Sequence, residues 1–271
     1  MNEDTGRQSF SVTLSREELL AVLDVLRATT IPGLDREPSG SLTPDQEAFA
    51  LVVARRALLA RNLAQVQSDG AFLLHRELLR AVGTCAYARS SILVYHWPAG
   101  EQAPHLLFGH LRGDDVVTHT RPGPVLHRFT LLPSRQELVD QVLAFCEVKD
   151  VTQVEVFDFL VPRQEFADAR QLASVGNTAA AIGTLVQSGL PAESATTLVT
   201  SWAAAPRVSA LQTITQQGNQ MAQTQEFTLM QDGRSIWWIA PQADAGPKGP
   251  IRVRTMTVQA VRDLLTQSLG G

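Results

Sequence analysis

Apolar and polar positions change their period several times along the 271 residues. Phe10 to Leu14 alternates as a strand does, and Leu19, Leu20, Leu23 and Leu26 then recur at helical spacing. Ser15 stands between the two, with Glu18 three positions on. That is the signature of a capping box, in which each side chain satisfies the other's backbone N–H. The pattern predicts a strand running straight into a helix. The same grammar returns three times: in RFTLLPSRQELVDQVLAF from Arg128, in VEVFDFLVPRQEFADARQL from Val154 and in IRVRTMTVQAVRDLLTQSL from Ile251.

Between these joints the N-terminal stretch is helical, then extended. Thr43, Pro44 and Gln46 open a helix whose apolar positions are Phe49, Val52, Val53, Leu59 and Leu63. QSDG ends it, and a further helix is predicted over 73–86. The segments SILVYHW, HLLFGHL, DVVTHT and VLHRFTLL are parted by PAGEQAP, RGDD and RPGP, which predicts an antiparallel meander. A helix over 135–146 follows, and EVKD is the expected seam.

The C-terminal stretch repeats the order. A strand leads into a helix opened by Pro162, two more helices are predicted over 178–187 and 192–204, four strands follow, and a helix over 259–269 closes the chain. The expected fold is α+β, with pseudo-two-fold duplicated halves at 1–149 and 150–271. Helices leaving strands directly lie along a sheet face, so a central antiparallel sheet with helical clusters is expected.

Composition narrows the function. Hydrophobic residues make up 44% and charged residues 18%, a globular balance. The net charge of −4 argues against a nucleic-acid binder, which needs a basic face to neutralise phosphates. Lys149 and Lys248 are the only lysines, and neither sits in an apolar context suited to Schiff-base chemistry. The polar, acidic start is unlike a secretory signal, and no run of about 18 apolar residues is present. A cytoplasmic protein with no membrane partner is expected. Cys85 and Cys146 lie far apart and read as buried thiols.

The motifs of nucleotide-binding loops, serine nucleophile elbows and zinc helices are missing, and no cofactor is expected. His96, His105, His110, His119 and His127 crowd the first meander and are the candidates for a metal centre or an enzyme active site. Alternation puts His105 and His110 on opposite faces of one strand, so solvent-facing or edge positions are expected instead. Two features favour binding to another protein. The stretch 171–206 carries one charge, Glu193, and a helical cluster without a charged face either buries itself or meets a partner. Trp237 and Trp238 are adjacent in a strand, so one of them faces away from the main core.

Several segments together resemble the EspG family of type VII secretion-associated chaperones. They are LSREELLAVLDVLRATTIPGL, then ALLARNLAQVQSDG, with Asn62 where the family carries Gly, then LLHRELLRAVG. QDGRSIWWIAP and VQAVRDLLTQSL extend the likeness to the C-terminus. The resemblance implies a non-enzymatic cytosolic protein that shields an apolar helical segment of a secretion substrate, of the PE/PPE type in the family. It implies a contact surface made of the loop between the second and third strands, counted from the strand at Phe10, and the helices of the second half. Here that loop is PAGEQAP, with Pro98, Gly100, Glu101 and Gln102 as expected contacts, and it is short. Leu185, Leu190, Leu198 and Trp202 are the expected apolar anchors. The oligomeric expectation is a monomer, or a homodimeric structural subunit that uses the same low-charge tract.

Overall fold

The computed structural model describes residues 10–34, 42–151, 156–204, 206–216, 223–242, 246 and 248–270. Strand β1 (Ser11–Ser15) runs directly into α1 (Arg16–Leu26). Ser15 Oγ accepts from the Glu18 amide and Glu18 Oε2 accepts from the Ser15 amide, the expected capping box. Thr43 and Gln46 make the same pair at the mouth of α2 (Pro44–Ala60). A small hairpin follows, β2 (Ala64–Val66) with β3 (Phe72–Leu74), and then α3 (Arg76–Ala86). The meander is β4 (Ser90–Trp97), β5 (His105–Arg112), β6 (Asp115–Gly123) and β7 (Leu126–Leu132), closed by α4 (Arg135–Phe145).

The second stretch contains β8 (Asp158–Val161), α5 (Arg163–Ser174), α6 (Thr178–Gln187), α7 (Ala192–Ala203), β9 (Arg207–Thr215), β10 (Gln223–Gln231), β11 (Ile236–Pro241), β12 (Ile251–Met256) and α8 (Val258–Gly270). The strand expected from Val154 is shorter, and residues 152–155 of it lie outside the described residues. The fold is α+β with one large antiparallel sheet of ten strands, in the order β1-β7-β6-β5-β4-β9-β10-β11-β12-β8. In the first stretch β1 pairs with β7, the last strand before α4. In the second, β8 pairs with β12, the last strand before α8.

Two expectations for the N-terminal helices change. The helix expected from Leu73 starts at Arg76, because 72–74 pair with 64–66 instead. Asp69 and Gly70 make the turn: Gly70 has φ 84°, and Asp69 Oδ1 accepts from the Ala71 amide. A Cβ at that φ is strained, so glycine suits the position. On α2, Phe49, Val52 and Val53 are exposed, at 71%, 45% and 46%. Ala54 and Leu58 are the buried residues of that helix. Apolar residues run all round α2, so spacing alone does not say which stripe turns inward.

Contacts divide the described residues into two compact units: those within 1–92, 107–138 and 215–216, and those within 93–106, 139–214 and 223–270. The first has a core of Leu14, Leu19, Val22, Leu58, Leu78 and Phe129 among others. Glu18 is buried in it and is met by Arg61, whose Nη1 lies 2.7 Å from both carboxylate oxygens while Nη2 donates to the Thr13 carbonyl. The second unit packs α5, α6 and α7 over β11 and β12, with Leu185, Leu198, Val253 and Trp237 fully buried.

Candidate functional site

The histidines are the first candidates to place. His105 is exposed and lies 2.9 Å from Glu101. The other four are buried, which corrects the expectation of solvent-facing positions: both faces of the meander are covered, with His96 packed on Phe145 of α4 and His119 on Phe108 and Phe129 of the opposite face. His110 Nδ1 meets Ser91 Oγ at 2.9 Å, His96 Nδ1 meets Ser209 Oγ at 2.8 Å, and His119 Nε2 meets His127 Nδ1 at 2.9 Å. His105 and His110 do fall on opposite faces of β5. Burial pulls His110 from its ordinary 6.5 to about 4, so at neutral pH it is an uncharged partner of Ser91. Burial pushes the Cys146 thiol up to about 12, far from a reactive thiolate. The described residues contain no group of three His, Cys, Asp or Glu side chains placed to hold a metal.

The second unit contains a cleft of about 780 Å³ between α5 and the sheet. Its walls include Tyr95 of β4, Phe166 and Arg170 of α5, Gln212 of β9, Glu226 of β10 and Ile239 of β11. Arg163, Phe166 and Arg170 sit at i, i+3 and i+7, so one stripe of α5 supplies them. On the sheet side, Gln212 Nε2 donates to Glu226 Oε1 at 2.8 Å and holds that carboxylate in place. The cleft therefore combines an aromatic and aliphatic floor with two cations and one anion. Its size is in the range of built binding sites.

The PAGEQAP loop is continuous with this cleft through β4. Tyr95 and Trp97 share a strand face and stack, with ring centroids 6.4 Å apart. Pro98 follows Trp97 and is half-buried, whereas Gly100, Glu101 and Gln102 are exposed. The Glu101 amide donates to the Pro98 carbonyl and Gly100 has φ 84°, a turn of the kind that requires glycine at its third position. The Glu101–His105 pair spans the loop.

Of the expected anchors, Leu185, Leu190 and Leu198 point into the core under α6 and α7. Trp202 is half-buried and packs edge-on against Phe166 at 5.2 Å, directly behind the cleft wall. The tryptophan pair of β11 splits as expected. Trp237 is fully buried and its Nε1 donates to Ser201 Oγ, while Trp238 is half-buried on the opposite face with Arg254 stacked 4.3 Å over its ring. Ser201 in turn donates to Asp232 Oδ2 at 2.5 Å. Burial pushes the Asp232 carboxyl up, but the Ser201 hydroxyl and the Arg234 and Ser235 amides outweigh it and hold it below the usual carboxylate range. The sequence reading missed Tyr95, Arg163, Arg170 and Glu226. The period-2 spacing of Tyr95 and Trp97, and the seven-residue spacing of the two arginines, are the signals that carry them.

The fold is one shared with a solved type VII secretion chaperone. One solved structure that shares it is EspG5 of Mycobacterium tuberculosis, a type VII secretion system chaperone in complex with a PE25–PPE41 dimer. It superposes with a TM-score of 0.66 at 12% identity, over 96% of this chain and 95% of that one. At that identity the likeness establishes the fold. No family profile matches the sequence, and no curated protein matches it. Among the described residues no helix is long and apolar enough to cross a membrane.

Proposed function

We infer that this chain is a non-enzymatic, cytoplasmic, chaperone-like protein that binds and shields an apolar helical segment of a protein partner. The surface is the cleft beneath α5 together with the loop bearing Pro98, Gly100, Glu101 and Gln102. The observation that carries the reading is the continuity of the two through Tyr95 and Trp97. Tyr95 is the residue on that path that is both exposed and a cleft wall, and aromatic side chains of this kind dominate interface energetics. A helix tip laid along this path buries apolar side chains against Phe166 and Ile239. Arg163, Arg170 and Glu226 fix its orientation from the rim. Leu185, Leu190, Leu198 and Trp202 pack in the core behind α5, the helix that forms the wall.

The solved complex of EspG5 with a PE25–PPE41 dimer supports a protein partner for this chain. The duplicated-halves reading accompanies this one. It rests on the pairing of the first strand of each stretch with the last, β1 with β7 and β8 with β12. The test is co-expression of the full chain with a PE/PPE-type helical pair from its own source organism. A stable complex by size exclusion, lost on Tyr95→Asp, is the expected result. A partner that stays aggregated, or a complex indifferent to Tyr95→Asp, overturns the reading.

A further inference from the structure

The first turns of α2 stand out from the first unit. Pro44 through Phe49 are all exposed, and the exposure continues at Val52, Val53 and Arg56. Successive residues of an α-helix advance by about 100°. Asp45, Phe49, Val52, Val53 and Arg56 therefore fall on one outward stripe about 100° wide, with Ala54 and Leu58 on the buried side. Phe49 at 71% exposure is the most exposed ring in the described residues, and it lies at the middle of this stripe. Among the described residues neither Asp45 nor Arg56 carries an ion pair, whereas the neighbouring Arg55 is engaged by Asp24 at 2.6 Å.

The order of charges along the stripe is self-complementary. Its acid lies toward the N-terminus, its base toward the C-terminus, and its apolar residues lie between. In an antiparallel pairing of two such helices, the register that sets Phe49 against Val52 of the second copy also sets Asp45 against Arg56. A two-fold axis repeats both contacts. Pairing in the parallel sense sets acid against acid and base against base. We propose that α2 is a self-association surface that docks antiparallel on α2 of a second copy of this chain. Phe49, Val52 and Val53 form the apolar seam, and Asp45–Arg56 pairs close each end. The stripe shares no residue with the cleft beneath α5, so its failure and that of the chaperone reading are distinguishable.

The contact is one helix face per copy, so a concentration-dependent dimer is expected rather than an obligate one. Sedimentation of the full chain over a concentration series reads it directly. The expected result is a mass rising from 29.5 kDa towards the dimer value. Asp45→Arg and Arg56→Asp each replace two attractions by two repulsions and raise the dissociation constant about tenfold. Mixing the two variants restores association to the wild-type level, because each then meets its opposite. Phe49→Glu abolishes association, with an unchanged circular dichroism spectrum to show that the exposed site leaves folding intact. A wild-type mass fixed at the monomer, a dimer insensitive to either reversal, or a mixture no tighter than the separate variants overturns the proposal.

Discussion

Gly109 shows how closely a single position is specified. A Cβ there lies 2.6 Å from Leu138 Cδ1 and 2.8 Å from Ile92 Cγ2, so α4 approaches β5 only because no side chain intervenes. Gly109→Ala is expected to lower unfolding free energy by about 1–3 kcal/mol, read as a shifted denaturant midpoint at constant slope. One residue along, His110 sets a pH dependence. The unfolded imidazole takes a proton below its ordinary 6.5, while burial in the folded chain delays this to about 4. Between those values the unfolded state binds more protons, so stability falls as pH falls through that window. The loss from this group reaches about 3 kcal/mol at the lower end. Urea titrations at a series of pH values read the slope, and His110→Gln flattens it. A wild-type slope unchanged by that substitution sinks the assignment. The capping residues were legible in the sequence because a cap is a local hydrogen bond. The histidines were not: alternation tells which residues share a face, but not which face the helices cover.

At the scale of elements, the joint between β1 and α1 is held from two sides. Ser15 and Glu18 cap each other, and Arg61 at the end of α2 neutralises the buried Glu18. Arg61→Ala leaves that carboxylate buried without its partner and is expected to cost about 2–4 kcal/mol. Glu18→Gln with Arg61→Ala is expected to recover part of this, since no charge is then stranded. Double-mutant thermal unfolding separates the two outcomes. Helices with caps were legible to within a residue or two, as at 178–187 and 135–145. The β2–β3 hairpin was not, because strands of three residues are too short to show a period and Leu74, Leu78 and Leu79 continue a helical one. The inward stripe of α2 was hidden for a related reason: its apolar residues occupy more than one face.

For the whole molecule, the α+β class and the meander followed from periodicity, but the pairing of β1 with β7 and of β8 with β12 did not. Such pairings join residues more than a hundred positions apart in the first case, and sequence spacing holds no record of them. The cleft beneath α5 was illegible on the same grounds, since β4, α5, β9, β10 and β11 each contribute to it. Much of the apolar surface of the low-charge helices holds the second unit together around Trp237. The account's central claim is that the path from this cleft through Tyr95 and Trp97 to the loop at 98–104 receives a helical protein partner. The most direct measurement is light scattering on the purified full chain co-expressed with a PE/PPE-type helical pair from its source organism. The account predicts a single complex of chain plus pair, which Tyr95→Asp dissolves while the chain itself stays folded. A chain that elutes alone beside an intact or precipitated pair contradicts it.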